Sequence, residues 1–405
     1  MPFILIFISG GAILALELLA SRIMTPYFGV SLYIWTGILS ITLISLALGY
    51  WWGGRLASNA DSPVRRLGFL FAIMPALAGI AIIAACAIYP FAFHPLARWS
   101  LVGGAFAACL IFLFLPLVAT SAMNPLLVAL LLRRQVARKG DAGAGQVFFI
   151  STLGSVAGVI VTAFGLIPYI SNYTAALMVA LLLGVLSLIA VLSDLPMTGR
   201  VTVTTCAIAA VAGAAVLAWQ ADSYTGRQGP IAFSGAQWQI EDTHSSLFGT
   251  VKILRSGADA EGKFLRMYFH DGLIQNTVDS NQRSLSFYTY ALEALTRAYQ
   301  PQLQNVLMLG LGAGIVPSRL AQDGTRVEVV EIDPTSPQVA QRYFGFDAKS
   351  VTTHQADART YVADCTPRHD VVLVDLFQGD GTPDYLITRD FFRDLRGCLK
   401  PGGIA

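Results

Sequence analysis

Charge is what this sequence has least of. Only 13% of its 405 residues are Asp, Glu, Lys or Arg, 55% are hydrophobic, and the mean hydropathy is +0.60. Apolar side chains in that excess cannot all be buried in a soluble core, which excludes an ordinary soluble chain and puts much of the protein in lipid. Cysteine is scarce as well, five in all. Cys86, Cys109 and Cys206 sit in apolar runs and Cys365 and Cys398 stand alone. Neither a disulfide framework nor a metal-spaced cluster is therefore expected, and all five read as small buried apolar residues. Clusters of Lys and Arg suited to tracking phosphates are missing too, and a net charge of +2 gives no argument for nucleic acid as a partner.

The charge that is present divides unevenly. Residues 1–220 hold 10 Lys/Arg and 4 Asp/Glu, and residues 221–405 hold 17 and 21, so the halves carry about +6 and −4. Seven apolar runs, near 3–21, 33–53, 67–92, 101–120, 146–169, 173–193 and 201–219, are long enough to cross a bilayer as helices. The first has no basic start and contains Glu17, so it reads as a span and not as a signal peptide. Glu17 is the carboxylate well inside a span, a candidate for ion or substrate handling against a structural pairing with Arg22. Asn124-Pro125 interrupts the fourth apolar stretch, a candidate break or cavity against a plain kink or helix end. Basic residues in the loops around 49–68 and 133–140 place those loops in the cytoplasm. Seven crossings would then put the C-terminal half outside. One non-crossing run, of which 201–219 is the weakest, would put it in the cytoplasm, the expected location for a half that handles a cytosolic nucleoside.

After Trp219 the pattern changes. Short alternating segments at 238–242, 250–255 and 264–270, followed by "DGLIQ" at 271–275, read as a small antiparallel layer within 221–280. From 281 to 405 strands and helices alternate: "NVLMLG" (305–310), a helix from about 314, "VEVVEID" (327–333), a helix from about 335, "VTTHQAD" (351–357), "DVVLVD" (370–375) and a helix from about 387 to 398. This predicts a Rossmann-like, doubly wound α/β domain with ligands at the carboxyl ends of its strands. The expected fold is thus an all-α polytopic membrane bundle of about seven helices (1–220), a linker and β layer (221–280), and a methyltransferase-type sheet (281–405) whose last strands are missing. Gly310, Gly312 and Gly314 form a turn that lets backbone amides approach a ligand. Glu331 and Asp333 end the next strand, where a carboxylate accepts from ribose hydroxyls; Asp357 follows the third strand and Asp375 ends the fourth. The alternative for each acid is a helix N-cap.

These residues resemble the spermidine synthase (polyamine aminopropyltransferase) family, from about Ser245 onward, in "HDGLIQNT" (270–277), "VLMLGLGAG" (306–314), "VEVVEIDP" (327–334), "ADAR" (356–359), "DVVLVDLFQGDGTPDYLITRDFF" (370–392) and "LKPGG" (399–403). The preceding bundle resembles that of the membrane-bound bacterial members. The resemblance implies that Glu331 binds the ribose and Asp357 the adenine of decarboxylated S-adenosylmethionine, that Asp375 is the catalytic acid, and that no metal takes part. It also implies a small-molecule amine as acceptor, putrescine or another, and association into homo-oligomers. The chain departs from the family pattern at Ala313, where an aspartate usually stands in the glycine loop, at Gln378, with Asp380 near enough to substitute, and at Phe248-Gly249, where "YQ" is usual. Those departures keep two other readings open. One is an S-adenosylmethionine-dependent methyltransferase; the other is a non-catalytic nucleoside- or polyamine-sensing domain on a transporter-like bundle.

Overall fold

The computed structural model describes the chain apart from residues 29–31, 59–62, 134–140, 222–230, 234–235, 272 and 378–381. It divides into two compact units, Met1–Gln228 and Gly229–Ala405.

Among the described residues the first unit has seven helices long and apolar enough to cross a membrane: α1 Pro2–Phe28, α2 Leu32–Ala57, α3 Val64–Trp99, α4 Leu101–Arg133, α5 Gly143–Leu166, α6 Asn172–Leu192 and α7 Arg200–Trp219. The weakest run by sequence, α7, is a full 20-residue helix. Each segment satisfies its own amides as a helix, the arrangement that a membrane crossing requires. Leu43, Phe149 and Phe164 face outward from the bundle, as side chains meeting lipid do. Close approach between helices comes from glycine: α1 and α5 pack so tightly that a Cβ on Gly154 or Gly158 would overlap the carbonyls of Phe7 or Gly11. Ser155 on α5 donates to the Gly10 carbonyl across the same contact, 3.0 Å. Glu17 is buried on α1. Near Asn124 the helix α4 is interrupted only by a turn at Ala122 and runs on to Arg133; Pro125 falls in the first turn after the break, where a missing N–H costs nothing. The Asn124 amide donates to Ser151 Oγ on α5, 3.3 Å.

The second unit opens with an antiparallel meander, β1 Ile231–Phe233, β2 Ala236–Ser246, β3 Gly249–Ser256, β4 Leu265–His270 and β5 Leu273–Asp279. After α8 (Phe287–Tyr299) comes the α/β part: β6 Asn305–Leu309, α9 Ile315–Gln322, β7 Arg326–Glu331, α10 Thr335–Tyr343, β8 Thr352–Gln355, α11 Ala358–Ala363, β9 His369–Val374, α12 Arg389–Arg396 and β10 Leu399–Ile404. Its sheet is all parallel in the order β10-β9-β6-β7-β8. Chain order therefore reverses direction between β6 and β9, which opens a crevice at the carboxyl ends of those two strands.

Strand alternation builds two cores. Val306, Met308, Val329, Val371 and Leu373 face Val316 and Leu320 of α9 on one side. Leu307, Leu309, Val330 and Val372 face Val362, Phe391 and Leu395 of α11 and α12 on the other. The meander lies over one end of this sheet: Val251, Ile253, Tyr268 and Val278 pack on Ala313, Ile315, Val339 and Phe344. That contact closes one wall of the crevice.

One sequence expectation is corrected here. Cys365 and Cys398 are not separate buried thiols but a disulfide pair, with Cα atoms 5.0 Å apart. They lie 33 residues apart in sequence, and the pairing of β10 beside β9 brings the turn before β10 onto the end of α11; the amides of Arg368 and His369 both donate to the Cys398 carbonyl, 3.1 Å each. Spacing along the chain carries no signal of such a contact.

Candidate active site

A cavity of about 230 Å³ fills the crevice. Its floor is the glycine turn after β6. Gly310 has φ +95°, and a Cβ there would overlap the carbonyl of Asp375, so the turns after β6 and β9 pass backbone against backbone. Gly310 donates to the Val330 carbonyl, 2.8 Å, and Asp375 donates to that of Leu309, 2.9 Å, which fixes the three strand ends to one another. Gly310 and Gly312 line the cavity. Gly314 does not; it precedes α9 in a left-handed conformation and packs on the Phe346 ring.

Glu331, 9% exposed at the end of β7, spans the turn: Oε2 accepts from the Leu311 amide (2.9 Å) and Oε1 from the Asp333 amide (2.8 Å). Burial raises its pKa, and the backbone donors pull it back. A carboxylate has about four acceptor positions, so roughly two stay open, one on each oxygen, for a vicinal pair of hydroxyls. Asp333 borders the same cavity but is committed to the fold. Oδ2 accepts from the Ser246 hydroxyl (2.9 Å), and Oδ1 from the amide (2.9 Å) and hydroxyl (2.8 Å) of Thr335.

Asp357 is at once helix cap and cavity wall. Oδ1 caps α11 through the Thr360 amide, 2.9 Å, while Oδ2 accepts from the Tyr385 hydroxyl, 3.3 Å, on the opposite lip. Asp375 differs from the other three in having no hydrogen-bond donor among the described residues, and burial alone pushes its pKa from 3.8 to about 6. Tyr288 on α8 also lines the cavity; burial raises its phenol to about 12, the nearby Asp375 charge adds to this, and Asn276, whose amide lies 3.4 Å from the hydroxyl, opposes it.

Among the described lining residues are four carboxylates and no Lys or Arg, so the cavity attracts cations. Its acidic rim was readable from strand ends. Its opposite wall, mostly aromatic, was not: Tyr268, His270, Gln275 and Tyr288 come from the meander and α8, and Phe377 and Tyr385 from the segment after β9. Gln275 and His270 stand in the quoted "HDGLIQNT" stretch, which marked a family without assigning either a role. Ala313 does not line the cavity; it is buried among Val251, Ile253 and Tyr268. Phe248 does line it. Gln378 and Asp380 lie outside the described residues.

Residues 285–405 match the spermine/spermidine synthase domain family. Among curated proteins, a polyamine aminopropyltransferase of Vibrio vulnificus (strain CMCP6) is 36% identical over 112 residues, 26% of this chain and 38% of that protein. One of Leptospira biflexa serovar Patoc (strain Patoc 1 / Ames) is 30% identical over 148 residues, 35% of this chain and 51% of that protein. An N-terminal histidine N-methyltransferase of Emericella nidulans is 33% identical over 105 residues, 25% of this chain and 19% of that protein. The chain thus spans about half or less of the length of these relatives. A solved structure of human methyltransferase-like protein 13 in complex with SAH aligns at a TM-score of 0.24 and 25% identity, over 29% of this chain and 59% of that one. So weak an alignment adds nothing to the reading of the site.

Proposed function

We propose that this protein is a membrane-bound transferase that moves the aminopropyl group of decarboxylated S-adenosylmethionine to an amine acceptor, putrescine or another small amine. The observation that carries the reading is the division of labour among the cavity's carboxylates. Glu331 keeps open acceptor positions for a ribose diol, Asp357 stands across the lip for an adenine amine, and Asp375 is left without a protein donor in a buried, cation-attracting site. The matched domain and the two aminopropyltransferase relatives support the same chemistry. No metal is invoked.

The sulfonium carbon of the donor is already activated, so the protein's task is to align the two reactants and keep the acceptor amine unprotonated. The nitrogen lone pair forms the new N–C bond, the C–S bond breaks with its pair going to sulfur, and the product ammonium sheds one proton. Asp375, ionised above about pH 6, attracts the acceptor and holds its neutral amine facing the sulfonium by accepting an N–H hydrogen bond. The aromatic wall of Tyr268, Tyr288 and Phe377 keeps bulk water from the reacting carbon.

A second reading is methyl transfer from S-adenosylmethionine. It draws on the Emericella nidulans relative and on Ala313, which puts no carboxylate in the glycine turn to select the decarboxylated donor. A sensor without turnover is the third. Calorimetric binding of decarboxylated S-adenosylmethionine, S-adenosylmethionine and methylthioadenosine to the detergent-solubilised chain separates them. Preference for the decarboxylated donor, lost in Glu331→Ala, supports aminopropyl transfer; preference for S-adenosylmethionine supports the second reading, and binding without amine-dependent release of methylthioadenosine supports the third.

A cytosolic donor calls for the cytoplasmic face. The seven helices, with both basic loops inside, give the opposite face, and the Cys365–Cys398 disulfide is at home there. The cytoplasmic placement therefore requires one of the seven helices not to cross. A reporter joined to the C-terminus of this chain reads the side directly. Outside placement would mean that donor and acceptor are both supplied there.

A further inference from the structure

We propose that His270 is the proton acceptor on the amine side of the cavity, oriented by Asp271 and admitted by Gly249. This rests on the transferase reading of the same cavity. His270 ends β4, and Asp271 turns the chain at φ +45°. Two hydrogen bonds lock that turn, from the Asp271 amide to the Thr250 carbonyl (3.0 Å) and from the Thr250 amide to Asp271 Oδ1 (2.8 Å). The second carboxylate oxygen is thereby held 3.7 Å from His270 Nε2, within ion-pair range.

The imidazole is 14% exposed and lines the same cavity as Gln275, Tyr288 and Asp375. Among the described residues Nε2 has no hydrogen-bond partner and is fully buried, with the Asp271 carboxylate 3.7 Å away. With Nε2 closed off beside Gly249 and Asp271, Nδ1 is the nitrogen left to meet a group in the cavity that the ring lines. Gly249 explains how the ring fits. A Cβ at that position would overlap both Nε2 and the Asp271 carboxylate, so no other residue at 249 tolerates the imidazole where it stands. The histidine and the glycine form a matched pair: a side chain is given up on β3 and an imidazole from β4 takes its place at the cavity wall.

Histidine is the side chain whose ordinary titration lies nearest neutrality. As the amine forms its bond to carbon and the C–S pair leaves to sulfur, the new ammonium passes one proton to the imidazole, which returns it to water. Asp271 stabilises the imidazolium so formed. The other titratable groups lining the cavity are Tyr268, Tyr288, Tyr385, Glu331, Asp333, Asp357 and, just after β9, Asp375, with Lys252 on β3 close enough to feel the Asp271 charge.

The test uses the full chain in detergent, with amine-dependent release of methylthioadenosine as the assay and methylthioadenosine binding as the control for folding. His270→Gln and His270→Ala are expected to keep nucleoside binding and lose about 10²-fold in kcat. One ionisation should vanish from the pH profile, and added imidazole should restore part of the activity of His270→Ala. Gly249→Ala is expected to reproduce the loss with the histidine still present. His270→Gln with wild-type kcat and an unchanged pH profile would overturn the proposal. So would a loss in His270→Ala that imidazole does not restore and that leaves the pH profile intact, since that is what a structural role produces. Failure of the underlying reading looks different: wild-type protein that binds methylthioadenosine no better than Glu331→Ala, or binds it and transfers nothing, overturns both.

Discussion

Replacing Glu331 by Gln separates the ligand role of this carboxylate from its structural one. The side chain carries two loads: it accepts the Leu311 and Asp333 amides within the protein, and it offers open positions to a diol. Glutamine keeps the shape and one acceptor oxygen, but turns the other into a donor that faces a backbone N–H. One buried amide is then left unsatisfied, costing about 1–3 kcal/mol of stability. On the ligand side, two hydrogen bonds to a charged acceptor, each worth about 1.5–3 kcal/mol, fall to one neutral bond, so affinity should drop by about 2–4 kcal/mol, or roughly 30- to 1,000-fold. Calorimetry with methylthioadenosine and its 2′-deoxy analogue tests the geometry as well as the magnitude. In the wild type, removing the 2′-hydroxyl should weaken binding severalfold or more; in Glu331→Gln most of that discrimination should be gone, a coupling that a double-mutant cycle reads directly. The reasoning is refuted if the two losses simply add, or if Glu331→Gln binds methylthioadenosine as tightly as wild type.

Asp375 makes a pH-dependent prediction. Its folded-state pKa, about 6, lies above the ordinary 3.8, so burying it favours the protonated form; stability is fully present below pH 4 and is lost as pH rises through 6, by at most about 3 kcal/mol. Asp375→Asn should therefore melt higher than wild type at pH 8, match it near pH 4, and lose transfer activity, whereas wild-type activity rises through about pH 6. Gly310→Ala combines a left-handed backbone with overlap against the Asp375 carbonyl and should cost about 2–4 kcal/mol. Gly312→Ala, also at positive φ but with open space at its Cβ, should cost about 1 kcal/mol; thermal midpoints of the two variants in one detergent check the contrast. Asp357→Ala loses the α11 cap, about 1 kcal/mol, and should also weaken nucleoside binding, whereas Asp357→Ser should recover the stability and not the affinity.

Much of this protein follows from local patterns. Seven apolar runs became seven helices, each long and apolar enough to cross a membrane, because a helix satisfies its amides within the segment that carries them. The glycine turn and the acids at 331, 357 and 375 could be placed at one sheet edge because a strand that alternates with helices must run parallel to its neighbours, and so must end where they end. Tertiary structure decided the rest. Asp333 carries the same strand-end signal as Glu331, but Ser246, 87 residues away, and Thr335 take up its lone pairs. Cys365 and Cys398 look isolated until β10 pairs with β9. His270, Gln275 and Tyr288 reach the cavity only because the meander packs over the glycine turn, and His270 has room there only because Gly249, two residues before its ladder partner Val251, carries no side chain. Periodicity and strand-end chemistry are written in neighbouring residues, whereas the sharing of hydrogen bonds, the filling of space beside a glycine and the meeting of two sulfurs depend on contacts between residues distant in sequence.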